Sequence, residues 1–273
     1  MILGEKKSLK SPKRLILLAE SIGKDRSLVQ GPGGNVSIKT RKGIWVKRSG
    51  TWLEKARSSE IFYFLPTISV NGKRSYQLNA DYQLSIETPF HTLIPSKCVL
   101  HVHSIGSLTW GLREITDTTY DIMKKLNLHF APYIKPGIDI ADYISSNPNV
   151  LKSKGIVLAN HGLITWSRTT RGGFRKLIRL EKALLSAAIG IKRKSTDWKF
   201  VDRDEDLAPL TPDHAVFFSE NGPVQDWVKE MRKSLTSALD LIPSDQKVSY
   251  LSSEDVLDLV SWDAEKMRRK LND

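Results

Sequence analysis

Apolar positions along the first 190 residues fall into short runs whose spacing switches between the helical and the extended period. Leu15, Leu17, Leu18, Ala19 and Ile22 follow the helix-start signal Ser11-Pro12 and stop at Gly23, which predicts a helix with one face packed on a sheet. Gly31-Pro32-Gly33-Gly34-Asn35 reads as a turn, and Val36, Ile38, Ile44, Trp45 and Val46 as a hairpin interrupted at Lys42-Gly43. Residues 61–65 predict a further strand. Residues 84–94 read as a helix, since Pro89 is tolerated in a first turn and its neighbours lack strict alternation. Cys98-Val99-Leu100-His101-Val102-His103 and Ile156-Val157-Leu158-Ala159 are compact apolar runs suited to buried strands. Residues 170–191 carry Phe174, Leu177, Ile178, Leu184, Leu185 and Ala188 at helical spacing. Strands and helices therefore alternate, the pattern of an α/β protein. Beyond them residues 198–212 are polar and acidic, residues 215–218 predict a short strand, and amphipathic helices are expected after Pro223 and Ser253.

With 273 residues the chain is at the upper end of what one core serves, so one α/β domain with a C-terminal extension is expected. No apolar run reaches the roughly 18 residues that a membrane helix needs. Residues 1–14 are Lys-rich without an apolar segment and cleavage site, which argues against a secretory signal and for the cytoplasm. Cys98 is the single cysteine, so an intrachain disulfide and an all-thiolate metal site are excluded. Any metal has to be held by His, Asp or Glu. The net charge of +12 is scattered along the chain and is accompanied by no nucleic-acid recognition motif, which favours a solvated basic surface or attraction of a small anionic substrate.

Candidate chemistry gathers around three histidines. Side chains at i and i+2 of a strand share a face, so His101 and His103 bring two imidazoles close enough for one ion. His161, in Asn160-His161-Gly162, follows a second buried strand, at the strand ends where α/β sites collect. Three histidines with an open position are the ligand set of a catalytic zinc. Glu87, upstream of the His-x-His strand, is the carboxylate candidate; its plainer reading is a favourable charge in a helical first turn. His91, four residues on, is more often an orienting or satisfied histidine than a ligand, and His129 and His214 have no partner in sequence that makes them more than structural.

In order along the chain, Gly33-Gly34-Asn35-Val36-Ser37, Lys47-Arg48-Ser49-Gly50, Ser85-Ile86-Glu87-Thr88-Pro89-Phe90-His91, Val99-Leu100-His101-Val102-His103-Ser104 and Asn160-His161-Gly162 resemble the motifs of the class II aldolase/adducin superfamily. Weaker similarity lies in Pro132-Tyr133, Pro136-Gly137 and Thr211-Pro212-Asp213-His214. The resemblance implies a three-layer α/β/α fold with a central mixed, largely antiparallel sheet, spanning residues 1–220, with residues 221–273 as a helical extension packed on the same domain. It also implies a homotetramer with sites between subunits, and zinc, or another divalent first-row metal, on His101, His103 and His161. Substrate phosphate would be held by Asn35, Ser49, Gly50 and Ser85, where glycine lets the backbone approach an oxyanion and amide and hydroxyl donors satisfy it. Family members use a tyrosine, often the neighbouring subunit's, as proton donor, which makes Tyr120 and Tyr133 candidates beside Glu87.

Two departures bear on the substrate. Phosphoketose aldolases of this type usually have two serines before the acid, where this chain has Ser85-Ile86, and Arg48 replaces a small residue, adding a positive charge beside Ser49. The resemblance thus points to reversible aldol cleavage of a phosphorylated ketose or related sugar acid through a metal-stabilised enediolate. Relatives epimerise pentulose phosphates or decarboxylate 3-oxo acids by related chemistry, and the adducin heads share the fold as non-catalytic interaction modules.

Overall fold

A computed structural model describes residues 10–70, 73–77, 83–192, 207–218 and 225–272. The predicted segment 198–212 lies largely outside these residues, as does Pro223, while the helix expected after it is described from Asp226 to Asp240. Eight strands are described: β1 Asn35–Lys39, β2 Gly43–Lys47, β3 Phe62–Val70, β4 Lys73–Tyr76, β5 Cys98–Val102, β6 His129–Ala131, β7 Gly155–Leu158 and β8 Gly162–Ser167. They form one sheet in the order β4-β3-β2-β1-β5-β8-β7-β6, antiparallel throughout except for the parallel pair β6 and β7. This is the mixed, largely antiparallel sheet expected from the sequence.

Helices cover both faces. Among the described residues α1 (Lys13–Gly23), α3 (Ile105–Gly111), α6 (Thr170–Lys192) and α8 (Asp226–Asp240) pack on one side, and α2 (Thr88–Leu93) with α5 (Ile138–Ser146) on the other. Strand β5 lies at the centre and is buried on both faces, so its alternation sorts residues between two apolar clusters. Cys98, Leu100 and Val102 face the larger cluster under α1 and α6, while Val99 joins Phe90, Ile140, Ile156 and Ile164 under α2 and α5. His101 follows the same alternation as Val99 and meets Phe90 edge-on, ring centroids 5.8 Å apart.

Local differences from the expected elements have physical causes. Residues 84–94 are helical only in α2; Leu84 instead forms an antiparallel bridge to Arg48, and Glu87 sits at the N-cap. Residues 215–218 are not a strand but the end of helix α7 (Pro212–Phe217), where the Thr211 hydroxyl accepts a hydrogen bond from the His214 amide and Pro212 fills the first turn. The apolar run made that segment look extended, whereas the capping residues just before it decide the outcome. Helices α4 (Asp117–Leu126), α9 (Ser253–Ser261) and α10 (Asp263–Lys270) complete the set, α9 and α10 packing near α7. No described helix is long and apolar enough to cross a membrane.

Candidate metal centre and substrate cavity

The end of β5, the β7–β8 turn and the N-cap of α2 converge at one end of the central strands. Asn160, in the left-handed conformation at φ 55°, shapes the β7–β8 turn. Its side-chain amide donates to the carbonyls of Leu210 and Ser249 at 2.9 and 2.8 Å. At Gly162 a Cβ would lie 2.2 Å from the Val102 carbonyl oxygen, so only glycine lets β8 approach β5 here. His161 is thereby held against His101 and His103. One ligand nitrogen from each of the three lies within 4.8 Å of the others, and all three residues are buried.

The hydrogen-bond pattern decides which nitrogens converge. His101 Nδ1 donates to the Leu163 carbonyl at 3.2 Å and His103 Nδ1 to Asp213 Oδ2 at 3.0 Å. Both Nε2 lone pairs are then turned inward, 3.0 Å apart. Two such lone pairs face one another favourably only across a shared cation or proton. A four-coordinate zinc with bonds of about 2.0–2.1 Å spaces its ligand nitrogens by about 3.3 Å, close to this separation. Burial holds the His161 imidazole down to about 4, against the opposing pull of Glu87, so the ring is neutral as a ligand must be. The donor set therefore fits a divalent metal.

Glu87 Oε1 stands 3.2 Å from His101 Nε2 and 3.3 Å from His161 Nε2. Its other oxygen accepts from the Asn35 amide, a contact explained by register: Asn35 pairs directly with His101 across β1 and β5 and so shares its face. Burial pushes the Glu87 carboxyl up, but His101 and His161, through charge and hydrogen bonds, together outweigh it and hold it well below the usual range. His91 donates to no histidine of the cluster; its Nδ1 pairs with Ser37 Oγ at 2.8 Å, and burial takes it down to about 3. His129 bonds the Tyr143 hydroxyl and His214 accepts from the Leu210 amide, both outside the cluster.

A cavity of about 20 Å³ adjoins the histidines, and Asn35, Ser49, Gly50, Ser85 and Glu87 are among the residues that line it. The four residues expected to hold the substrate anion thus line one cavity. Arg48 does not: alternation turns it away, toward Glu60 at 3.7 Å and over the Tyr63 ring at 4.1 Å, and puts Lys47 on the cavity side instead. The charge expected beside Ser49 is therefore that of Lys47, whose Nζ donates to the Pro32 carbonyl at 2.8 Å. Burial, with the nearby Arg268, lowers its ammonium to about 7.

Neither tyrosine lines this cavity. Tyr120 is 54% exposed on α4, and Tyr133 is half-buried against α7 and α9, its hydroxyl pushed up by burial and by Asp255. Four charged cavity residues had no assigned role in the sequence: Lys47, Asp213, Glu265 and Arg268. Asp213 Oδ2 accepts a hydrogen bond from His103 Nδ1 and Oδ1 one from the Arg268 guanidinium at 2.5 Å, and Arg268 Nε also donates to Glu265 Oε2 at 2.6 Å. The Thr-Pro-Asp-His capping segment was the one signal available for Asp213.

Residues 13–187 match the family model described as Class II Aldolase and Adducin N-terminal domain. The chain is 28% identical over 145 residues to L-fuculose phosphate aldolase of Haemophilus influenzae, covering 50% of this chain and 64% of that one. It is 24% identical over 198 residues to an uncharacterized oxidoreductase, YuxG, of Bacillus subtilis, covering 62% of this chain and 28% of that protein. The chain thus spans less than two thirds of the length of either relative. Among solved structures, the N-terminal class II aldolase domain of a conserved Thermoplasma acidophilum protein superposes with TM-score 0.50 at 24% identity, covering 68% of this chain and 98% of that domain. YgbL of Klebsiella pneumoniae, a putative aldolase/epimerase/decarboxylase, gives TM-score 0.50 at 17% identity, covering 68% and 92%. With the family model covering well over half of its length, the chain belongs to the class II aldolase and adducin family.

Proposed function

We propose that the protein is a metal-dependent lyase that reversibly cleaves a phosphorylated ketose or a related sugar acid between two carbons. The observation that carries this reading is the convergence of His101, His103 and His161 beside Glu87 at a cavity lined by Asn35, Ser49, Gly50 and Ser85. A divalent ion on the three imidazoles, zinc by its ligand set, supplies Lewis-acid polarisation of the substrate's carbonyl and hydroxyl oxygens. Glu87, ionised and oriented by Asn35, moves a proton to or from the carbon at which the bond breaks. Ser49, Gly50, Asn35 and Ser85, which line the cavity beside Glu87, hold the substrate anion in this reading. The second proton transfer, at the hydroxyl, falls to a tyrosine; exposed Tyr120 is accessible to a neighbouring subunit's site and Tyr133 lies closer to the cavity's own α7 wall. The chain acts as a homotetramer in the cytoplasm in this reading.

The test is a screen of metal-loaded protein over phosphorylated ketoses and sugar acids with product analysis. Two carbonyl fragments support a lyase, whereas an inverted sugar or carbon dioxide would reassign the site to epimerisation or decarboxylation. Glu87→Gln should keep the metal and lower turnover by about 10² to 10⁴; unchanged turnover on the same substrate would remove Glu87 from the mechanism.

A further inference from the structure

The family match ends at residue 187, yet Pro212, Asp213, Glu265 and Arg268 wall the cavity from beyond it. Helix α10 lies across the anion loop. At Gly50, where φ is +67°, a Cβ would come within 2.9 Å of Leu271 Cβ. Asn272 Oδ1 accepts from Trp52 Nε1 at 2.8 Å, and the Asn272 carbonyl from Gln225 at 2.6 Å. The one buried residue of α10 is Glu265, while Met267 and the following Leu271 stay 43% and 48% exposed. A helix seated by polar contacts and not by an apolar face gains little from packing, so its position has to be explained by what it brings to the cavity.

What it brings is a guanidinium. The bonds of Arg268 to Asp213 and Glu265 use Nη2 and Nε, and Nη1 takes part in neither. Glu265 Oε1 is buried with no hydrogen-bond partner. Lys47 lines the same cavity, its ammonium lowered to about 7 by burial and by Arg268, and three carboxylates, Glu87, Asp213 and Glu265, line it as well. Asp213 and Glu265 engage Nη2 and Nε of Arg268 and leave Nη1 as a charged donor beside the Ser49 and Ser85 hydroxyls, and the planar fork of arginine suits carboxylate or phosphate.

We propose that Arg268 is a specificity-determining residue that binds the oxyanion end of the substrate, phosphate or carboxylate, between α10 and the Ser49-Gly50 loop. The inference rests on the lyase reading above. Glu265 Oε1, buried without a hydrogen-bond partner, is the acceptor this placement leaves for a substrate hydroxyl.

The experiment titrates the zinc-loaded full chain with glycolate, which reads the metal end alone, with 2-phosphoglycolate, and with tartronate, followed by calorimetry. Wild-type protein should prefer 2-phosphoglycolate or tartronate over glycolate by about ten- to a hundredfold, and Arg268→Gln, titrated at saturating zinc, should erase that preference while glycolate affinity holds. Arg268→Lys should restore part of it. Loss confined to 2-phosphoglycolate identifies a phosphate site, and loss confined to tartronate a carboxylate site. A preference unchanged in Arg268→Gln, or absent in wild type, overturns the proposal. To keep it distinct from the metal reading, inorganic phosphate and tartronate are also titrated into metal-stripped protein, where Arg268→Gln must still weaken whichever binds; an equal affinity there overturns the proposal even if zinc uptake fails.

Discussion

Replacing Asp213 by Asn tests how much of the metal site is built by its surroundings. The carboxylate is buried with both oxygens in use, one receiving His103 Nδ1–H at 3.0 Å and the other Arg268 at 2.5 Å. Asparagine keeps the shape but has one acceptor, so its amide must turn N–H groups toward either the imidazole or the guanidinium, donor against donor. Losing the carboxylate that fixes a ligating histidine costs about 10- to 100-fold in metal affinity, equivalent to about 1.4–2.7 kcal/mol. Competition with a chromogenic zinc chelator measures this directly. The fold should also lose about 2–3 kcal/mol, less than a fully buried broken pair because Arg268 is 12% exposed and keeps Glu265. Burial pushes the Asp213 carboxyl up, but Arg268 and His103 outweigh it and hold it far below the usual range. A depressed folded value gives stability that is complete above the unfolded value of about 4 and is lost as pH falls below it. The difference between wild type and variant should therefore persist at pH 5–8 and shrink in acid. Zinc affinity within twofold of wild type would refute the reasoning.

Glu181 lies buried with its Oε1 on the Gly106 amide at 2.6 Å and Oε2 unpartnered, and burial pushes it up to about 7. Since the folded value is raised above the unfolded one, stability falls as pH rises from about 4.5 to 7, and Glu181→Gln should remove that slope and gain up to about 3 kcal/mol at pH 8, read by urea unfolding at several pH values. Gly162→Ala would set a Cβ 2.2 Å from the Val102 carbonyl, so β5 and β8 must separate; a loss of about 3 kcal/mol or more is expected in the urea midpoint, together with impaired zinc binding. Sedimentation velocity should show a tetramer at micromolar concentration, and a fully active monomer would count against a site shared between subunits.

The fold was readable where period and burial agree. Strand β5 is apolar on both faces because it is central, and the i, i+2 spacing of its two histidines follows from the pleat alone. Motif order, not any property of a single turn, singled out Asn35, Ser49, Gly50 and Ser85, which line one cavity. What escaped was set by long-range packing. Arg48 and Lys47 are equivalent as letters, and the strand's direction decides which one meets the cavity. Asp213 and Arg268 lie 55 positions apart and become partners only once α7 and α10 are seated together. The misread segment at 215–218 shows a cap overriding an apolar run, since one hydroxyl on a backbone amide and a proline in the first turn commit it to helix.

The central claim is that three histidines hold one divalent metal. Elemental analysis of the full chain after zinc loading and exhaustive dialysis tests it, alongside His161→Ala, the one substitution that removes a ligand from outside the His-x-His strand. The account predicts one zinc per chain in wild type and a loss of most of it in His161→Ala, with the fold retained by circular dichroism. A wild-type chain that retains no metal, or a His161→Ala chain that retains as much as wild type, would contradict it.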